Sequence, residues 1–281
     1  MMDTALDKPT PKAPGWAWVV YCALVLIAIT TLAPFVWMVL ASFKPLAEVE
    51  STNPVPHVWR WVNYGDVFKQ VPFLRYYVNS VFVAGWVTFL TVLTGAMAAF
   101  AFARLEWRGR DTCFKLYLAT MMVPGVVTMI PNYSVMVHLH LLDSYTGLIV
   151  PASFSAFGTF LLRQFMLGIP RALDEAAKID GASAWSVMWE VVMPLCKPGL
   201  VTLAIFTFLG NYGSFFWPLI LIKTPELRTL PIGLMYFDSA YGSQTNLVMA
   251  SSVMSVVAPL LVFVFAQKHI VRGIMLGAVK G

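Results

Sequence analysis

The chain has 281 residues, a formal net charge of +5, and 59% hydrophobic against 12% charged residues, with a mean hydropathy of +0.73. That balance excludes a soluble domain with a polar surface and makes the chain an integral membrane protein. It also turns the basic excess into a question of which loops stay on the cytoplasmic side, so no nucleic-acid partner is expected.

In chain order, residues 1–15 form a polar, proline-rich arm that includes "DKPTPKAPG". Six apolar spans follow, at 17–40, 77–103, 116–137, 146–166, 199–222 and 247–267. Each has about the 20 residues that cross a hydrocarbon core of roughly 30 Å. The first is too long for the core of a signal peptide and reads as a retained transmembrane helix. Between spans one and two, Trp59, Trp61 and Tyr64 suit a membrane interface. Gly95, Ala96, Ala98 and Ala99 make a small-residue face for helix packing. Asn132 and Tyr133 follow Pro131, where polar neighbours can satisfy a carbonyl freed by the proline. His138 and His140 lack the Cys or carboxylate spacing of a metal site. Neither long loop is large enough for its own domain, which predicts one membrane domain over 16–268 and a tail at 269–281.

An even number of spans puts both termini on one side. With that side cytoplasmic, 13 of the 19 Lys and Arg lie inside and 6 outside, the bias expected of cytoplasmic loops. Cys22 lies within a span and Cys113 and Cys196 at the cytoplasmic ends of two others, so no disulfide framework is expected outside.

Residues 17–43, 77–103, 116–137, 144–162, 199–222 and 247–267 contain no Asp, Glu, Lys or Arg, whereas ion-coupled carriers place ionisable groups at membrane depth. The chain also has no G-x-x-x-x-G-K-[ST] phosphate cradle. Uphill transport would need energy from a partner.

The loop between spans four and five, 167–198, is unlike its surroundings. "LDEAAKIDGASAWSVMWEVVMPL", Leu173 to Leu195, carries five charges. Pro170 suits a first helical position, Arg171 to Ile179 can form about two turns, and Gly181 stands where a helix end needs a left-handed residue. A second helix is expected from an N-cap at Ser183 to a stop at Pro194. Trp185, Met188, Trp189 and Val192 make an apolar stripe along it. Three surfaces could cover that stripe: the chain's own bundle, the lipid surface, or a groove on a soluble partner. Lipid fits poorly, because the second helix has only Glu190 on its polar side.

"EAAKIDGASAWSVMWEVVMP" resembles E-A-A-x3-G-x9-I-x-L-P, the loop signature of permease subunits of ATP-binding-cassette importers, with Glu175, Ala176, Ala177, Gly181 and Pro194 in place. Val191 and Met193 stand for the usual Ile and Leu. "NSVFVAG", "AFAFARLEWRGRD", "MIPNYSVMVHLHLLDSYTGLI", "RTLPIGL" and "VRGIMLGAVKG" follow in the order of the maltose-transporter type, in particular its shorter six-span subunit. The resemblance implies an all-α, integral membrane, six-helix fold of the type I importer permease, which is not an enzyme. It implies as partners a second homologous permease subunit, two ATPase subunits, an extracytoplasmic solute-binding protein, a sugar or oligosaccharide and the inner membrane lipid. No cofactor is expected on this chain, with ATP and Mg on the partner ATPase.

By the same resemblance, Glu175, Ala176, Ala177, Asp180 and Gly181 form the coupling segment, with Glu175 facing a basic group of the ATPase. Arg272, Gly277 and Lys280 belong to a tail that reaches the ATPase. The substrate path is less marked. In "LGNYGSFFWPLI" the family pattern W-N-[DE]-[FY] is altered: Tyr212 replaces the Trp, and Gly213 and Ser214 stand where an amide and a carboxylate are usual. Asn211, Tyr212, Ser214, Phe215 and Trp217 are candidates for sugar contact, since aromatic faces beside small polar groups suit sugar rings. Aromatics near the end of a span equally form interfacial belts or helix packing. Glycerol phosphate or a polyol-like solute is the alternative cargo, and a non-conducting scaffold that docks an ATPase is the alternative role.

Overall fold

The computed structural model describes the backbone of residues 15–240 and 244–278 and the side chains of 15–235 and 244–267. Among the described residues every regular element is a helix. The chain begins with α1, Ala17–Ser42, and passes a single turn at Leu46–Val49. It continues through α2, Val62–Gln70, and the central α3, Phe73–Ala103. α4, Arg110–Ala119, runs on as a 3-10 turn to Met122 and is followed by α5, Gly125–His138. Next come α6, Tyr145–Ala152, and α7, Ala156–Leu167. The short pair α8, Ala172–Ile179, and α9, Ala184–Leu195, leads to α10, Lys197–Tyr212, and α11, Phe216–Leu221. α12, Leu230–Ala240, α13, Thr245–Ser255, and α14, Val257–Ala278, complete it.

Three segments are long and apolar enough to cross a membrane alone: α1, α3, and the run Thr245–Gln267 through α13 and α14. Three further helix pairs are apolar enough only when taken together and are bent, α4 with α5 at 99°, α6 with α7 at 43° and α9 with α10 at 78°. Counting each pair as one crossing gives six.

The bends depart from the straight spans that the sequence predicts. Over 116–137 the helix breaks at Val123 and Pro124, both extended in backbone. Proline offers no N–H and pushes the residue before it out of the helical region. The expected helix over 199–222 ends at Tyr212 and resumes at Phe216. This break places Pro218 in a first turn, where a missing N–H costs nothing. Ser144 and Ser155 cap α6 and α7, their side chains accepting from the amides of Gly147 and Gly158.

α3 organises the bundle. Its buried Gly95, Ala96 and Ala99 let α7 and α10 approach closely, with the backbone of Gly158 and the side chain of Leu203 both against Gly95. At about 1.5 Å per residue, its 31 residues span about 46 Å from end to end. α1 is peripheral: none of its apolar window is buried within the chain, and only Ala41 and Ser42 at its end are covered.

The end of the bundle where α3 begins is held by side chains gripping loop backbone. Asn79 Nδ2 donates to the carbonyls of Glu226 and Arg228, each at 2.9 Å, and Oδ1 accepts from the Tyr145 hydroxyl at 2.8 Å. Ser80 Oγ accepts from the Leu230 amide. Asp143 accepts from the amides of Lys223 and Thr224 and from the Thr224 hydroxyl. The loop so gripped leads into α12, which the sequence does not predict and which buries Leu230 and Ile232. Lys44 is wholly buried nearby, its ammonium donating to the carbonyl of Asn53 at 2.6 Å.

Candidate functional site

At the other end of α3 lies the hairpin of α8 and α9. α8 has Asp174 and Glu175 in its first turn and Lys178 in its last, charges that complement the dipole of a short helix. It stops in a Schellman motif: the amide of Ala182 donates to Ala177 O at 2.9 Å and that of Gly181 to Lys178 O at 3.0 Å. The motif needs a left-handed residue, and Gly181 has φ +86°. Space around it is open, so the backbone angle alone selects glycine.

The two helices differ in what covers them. On α8, Glu175 and Ala176 are exposed, Ala177 is half-buried and Ile179 is 86% exposed. Asp180 and Gly181 are exposed too. On α9, Val187, Met188 and Val192 are at most 2% exposed and join Ala96, Ala99, Phe100, Leu162, Met166 and Leu203 in one core. Of the three candidate covers for the stripe, the chain's own bundle takes this face. Trp185 stays 58% exposed, with its ring edge-to-face on Trp189 at 5.6 Å.

α9 also winds differently from the regular helix expected. Ser183 caps it as predicted, accepting from the Ser186 amide at 3.1 Å, but Val187–Val192 form a π-helix and the helix passes Pro194 to end at Leu195. Along this stretch Val187 is buried and Trp185 stays outside, an arrangement that the 3.6-residue stripe does not give. Beyond it, a Cβ on Gly199 would lie 2.7 Å from the Phe165 ring, which keeps α10 close to α7.

The mount of α8 is ionic. Arg104, just past α3, donates from one guanidinium nitrogen to Asp174 Oδ2 at 3.1 Å. From the other it donates to Met166 O at 2.6 Å and Ile169 O at 2.9 Å. Both side chains are nearly buried. At the rim, Arg171 pairs with Glu106 at 2.9 Å.

The candidate substrate residues do not converge. Tyr212 is buried, its hydroxyl donating to Ser255 O at 2.8 Å and its ring stacked on Phe208. Asn211 donates to Thr207 O within its own helix. Trp217 packs in a second apolar cluster with Leu221 and Ile222. Ser214 is half-buried in the break and Phe215 is exposed beside it. Tyr212 is thus placed as core, while Ser214 and Phe215 are at least partly open. Of the tail residues, Arg272 and Gly277 belong to α14, while Lys280 lies outside the described residues.

Residues 91–275, a stretch that includes the whole hairpin, match the family model "Binding-protein-dependent transport system inner membrane component". The chain belongs to this family. As an inner membrane component it is a transport protein and not an enzyme. The permease is 30% identical to the arabinooligosaccharides transport system permease protein AraQ of Halalkalibacterium halodurans, over 96% of this chain and 98% of the relative. It is 33% identical to the sn-glycerol-3-phosphate transport system permease protein UgpE of Yersinia pestis bv. Antiqua, over 79% and 81%. Its fold matches a chain of a bacterial ABC transporter involved in import of the acidic polysaccharide alginate, with TM-score 0.83 and 25% identity, covering 93% of this chain and 100% of the other.

Within the permease fold, the sequence reading missed Arg104 and Asp174 as a pair. Arg104 counted only as one of the basic residues of a loop, and 70 residues separate the two. The one available signal was Asp174 itself, a carboxylate at the position of α8 next to its exposed face.

Proposed function

We propose that the chain is a transmembrane subunit of an ATP-driven importer of a sugar or oligosaccharide, driven through α8 by partner ATPases. The observation that carries this reading is α8 itself. It is a short helix that leaves Glu175, Ala176 and Ile179 uncovered while its neighbour α9 is buried in the bundle. A lever between two proteins needs such a rigid mount with a free face, and a flexible tether would not serve. The family description supports a different partner as well, a separate solute-binding protein from which binding-protein-dependent systems take their name.

In this reading both termini and the hairpin face the cytoplasm, as the distribution of 13 and 6 basic residues favours. A second permease subunit and lipid cover α1, whose apolar length this chain leaves bare. Two ATPase subunits hold ATP and Mg. Closing of their dimer would draw the coupling helices together and open the path outward, and hydrolysis would reset it.

Sugar is favoured by the name of the arabinooligosaccharide relative, which matches over nearly the whole of both chains. The glycerol-phosphate relative supports the second cargo, while the absence of any Lys or Arg from the six spans, apart from Arg163 near the cytoplasmic end of the fourth, speaks against it. Uptake by proteoliposomes holding the whole importer separates these readings. Labelled arabino-oligosaccharide should accumulate with internal ATP, and sn-glycerol-3-phosphate should not. The reverse result would assign the second cargo, and ATP-independent accumulation would remove the coupling role.

A further inference from the structure

Docking explains the exposed face of α8 but not its buried one. Asp174 lies on that hidden face, one residue before the exposed Glu175. Its partner Arg104 holds three segments with one planar group: α8 through Asp174, the last turn of α7 through Met166 O, and the following loop through Ile169 O. A rigid guanidinium fork suits such a junction, where a lysine could not reach all three acceptors in a fixed plane. Burial makes the pair an odd choice for stability alone, since apolar replacements of buried ion pairs are often neutral or stabilising.

The covalent route out of the hairpin is a poor lever by comparison. It runs through the π-wound stretch of α9 and then a 78° bend into α10. The ionic route leads directly to the end of α3, a single unbroken helix. At the far end of α3, Asn79 and Ser80 grip the backbone of Glu226, Arg228 and Leu230.

We propose that the Arg104–Asp174 pair is a rigid joint that delivers movement of α8 to α3, and that α3 carries it to the 226–230 loop at the opposite face. The inference rests on the reading of α8 as the ATPase-docking helix. Arg104 and Asp174 are positioning residues in it, acting through α8 and α3 and touching no solute. Neither is asked to contact the ATPase.

The test uses the complete importer in nanodiscs, with Cys22, Cys113 and Cys196 replaced by alanine and ATP with vanadate as the only probe. One spin-label pair sits at Leu173→Cys, which is exposed on α8 but outside the proposed docking residues, and at Met97→Cys, exposed on α3, to report α8 against α3. A single label at Glu226→Cys reports the far loop. In the parent protein the pair should give one narrow distance that vanadate trapping leaves unchanged, while the Glu226 spectrum changes on trapping. Asp174→Asn should broaden the distance and abolish the Glu226 change, with the ATPase still co-purifying. Arg104→Lys, which keeps the charge, should recover part of that change.

Three results would overturn the joint: a parental distance that shifts on trapping, an Asp174→Asn protein that behaves like the parent at both sites, or loss of the ATPase from both variants. The last would mean that the pair serves only to fold the hairpin. Gly181→Pro separates the two levels of the argument. If it abolishes the Glu226 change while Asp174→Asn does not, the docking reading stands and the joint falls. If neither variant affects it, the docking reading falls and takes the joint with it.

Discussion

The two helices of the hairpin are eight and twelve residues long and joined by a four-residue turn, yet they bury opposite amounts of themselves. α9 puts Val187, Met188 and Val192 into the core between α3, α7 and α10, whereas α8 keeps only Asp174 covered and leaves Ile179 86% exposed. The difference teaches that mounting and docking are separate tasks given to separate helices. An apolar stripe at helical spacing marked the mount, and small residues beside a carboxylate marked the free face.

The largest effect should come from the turn that joins them. Gly181→Pro removes both the positive φ and the amide that donates to Lys178 O. ATP-dependent uptake should be lost while membrane insertion, followed by protease protection, survives. Next is the mount: Val192→Asp places a carboxylate where no water reaches, which costs several kcal/mol, on the order of 3 or more. Thermal unfolding in detergent should show a clearly lowered midpoint. Trp185→Ala, on the open side of the same helix, should cost about 1 kcal/mol from its lost ring contact with Trp189. If the two α9 variants lowered the midpoint equally, the division of the hairpin into covered and open faces would be wrong.

On α8, Glu175→Ala should leave thermal stability unchanged and weaken ATPase binding by up to about fivefold, the range of a solvent-exposed ion pair. Titration of detergent-solubilised permease with the ATPase would read it, and the loss should shrink at high salt.

The smallest effect lies at the opposite end of α3. The Thr224 hydroxyl holds the Asp143 carboxyl below its usual range against the opposing effect of burial, helped by the amides of Thr224 and Lys223. A depressed folded value means that its contribution is complete above the unfolded pKa of about 4 and fades as pH falls through the lower folded value. Asp143→Asn should therefore lower the melting temperature slightly at pH 7, where the contribution is complete, and the gap from the parent should close as pH falls below about 4.

The legible parts of this molecule were those whose cause is local. A span announces itself by 20 apolar residues, Gly181 by the left-handed angle at a helix end, and Ser183 by its place before a helix. The breaks were harder: Pro124 and Pro218 sit in apolar runs that still satisfy a hydropathy count, so composition sees a span where the backbone sees two helices. Long-range ties left no trace. Arg104 with Asp174, and Asn79 with the 226–228 backbone, join residues 70 and about 150 apart. The π-winding of α9 hides for another reason, since its apolar spacing reads equally well as a regular helix. The solute path was illegible because Tyr212 reads the same whether its ring faces a sugar or, as here, Phe208.

Site-directed cross-linking tests the central claim most directly. Single cysteines at Ile179 and at Met188, in the assembled importer lacking the native cysteines, would be challenged with a short bifunctional reagent. α8 as the docking face predicts a permease–ATPase adduct from Ile179→Cys and none from Met188→Cys. An adduct from Met188→Cys alone, or none from any position along α8, would contradict it.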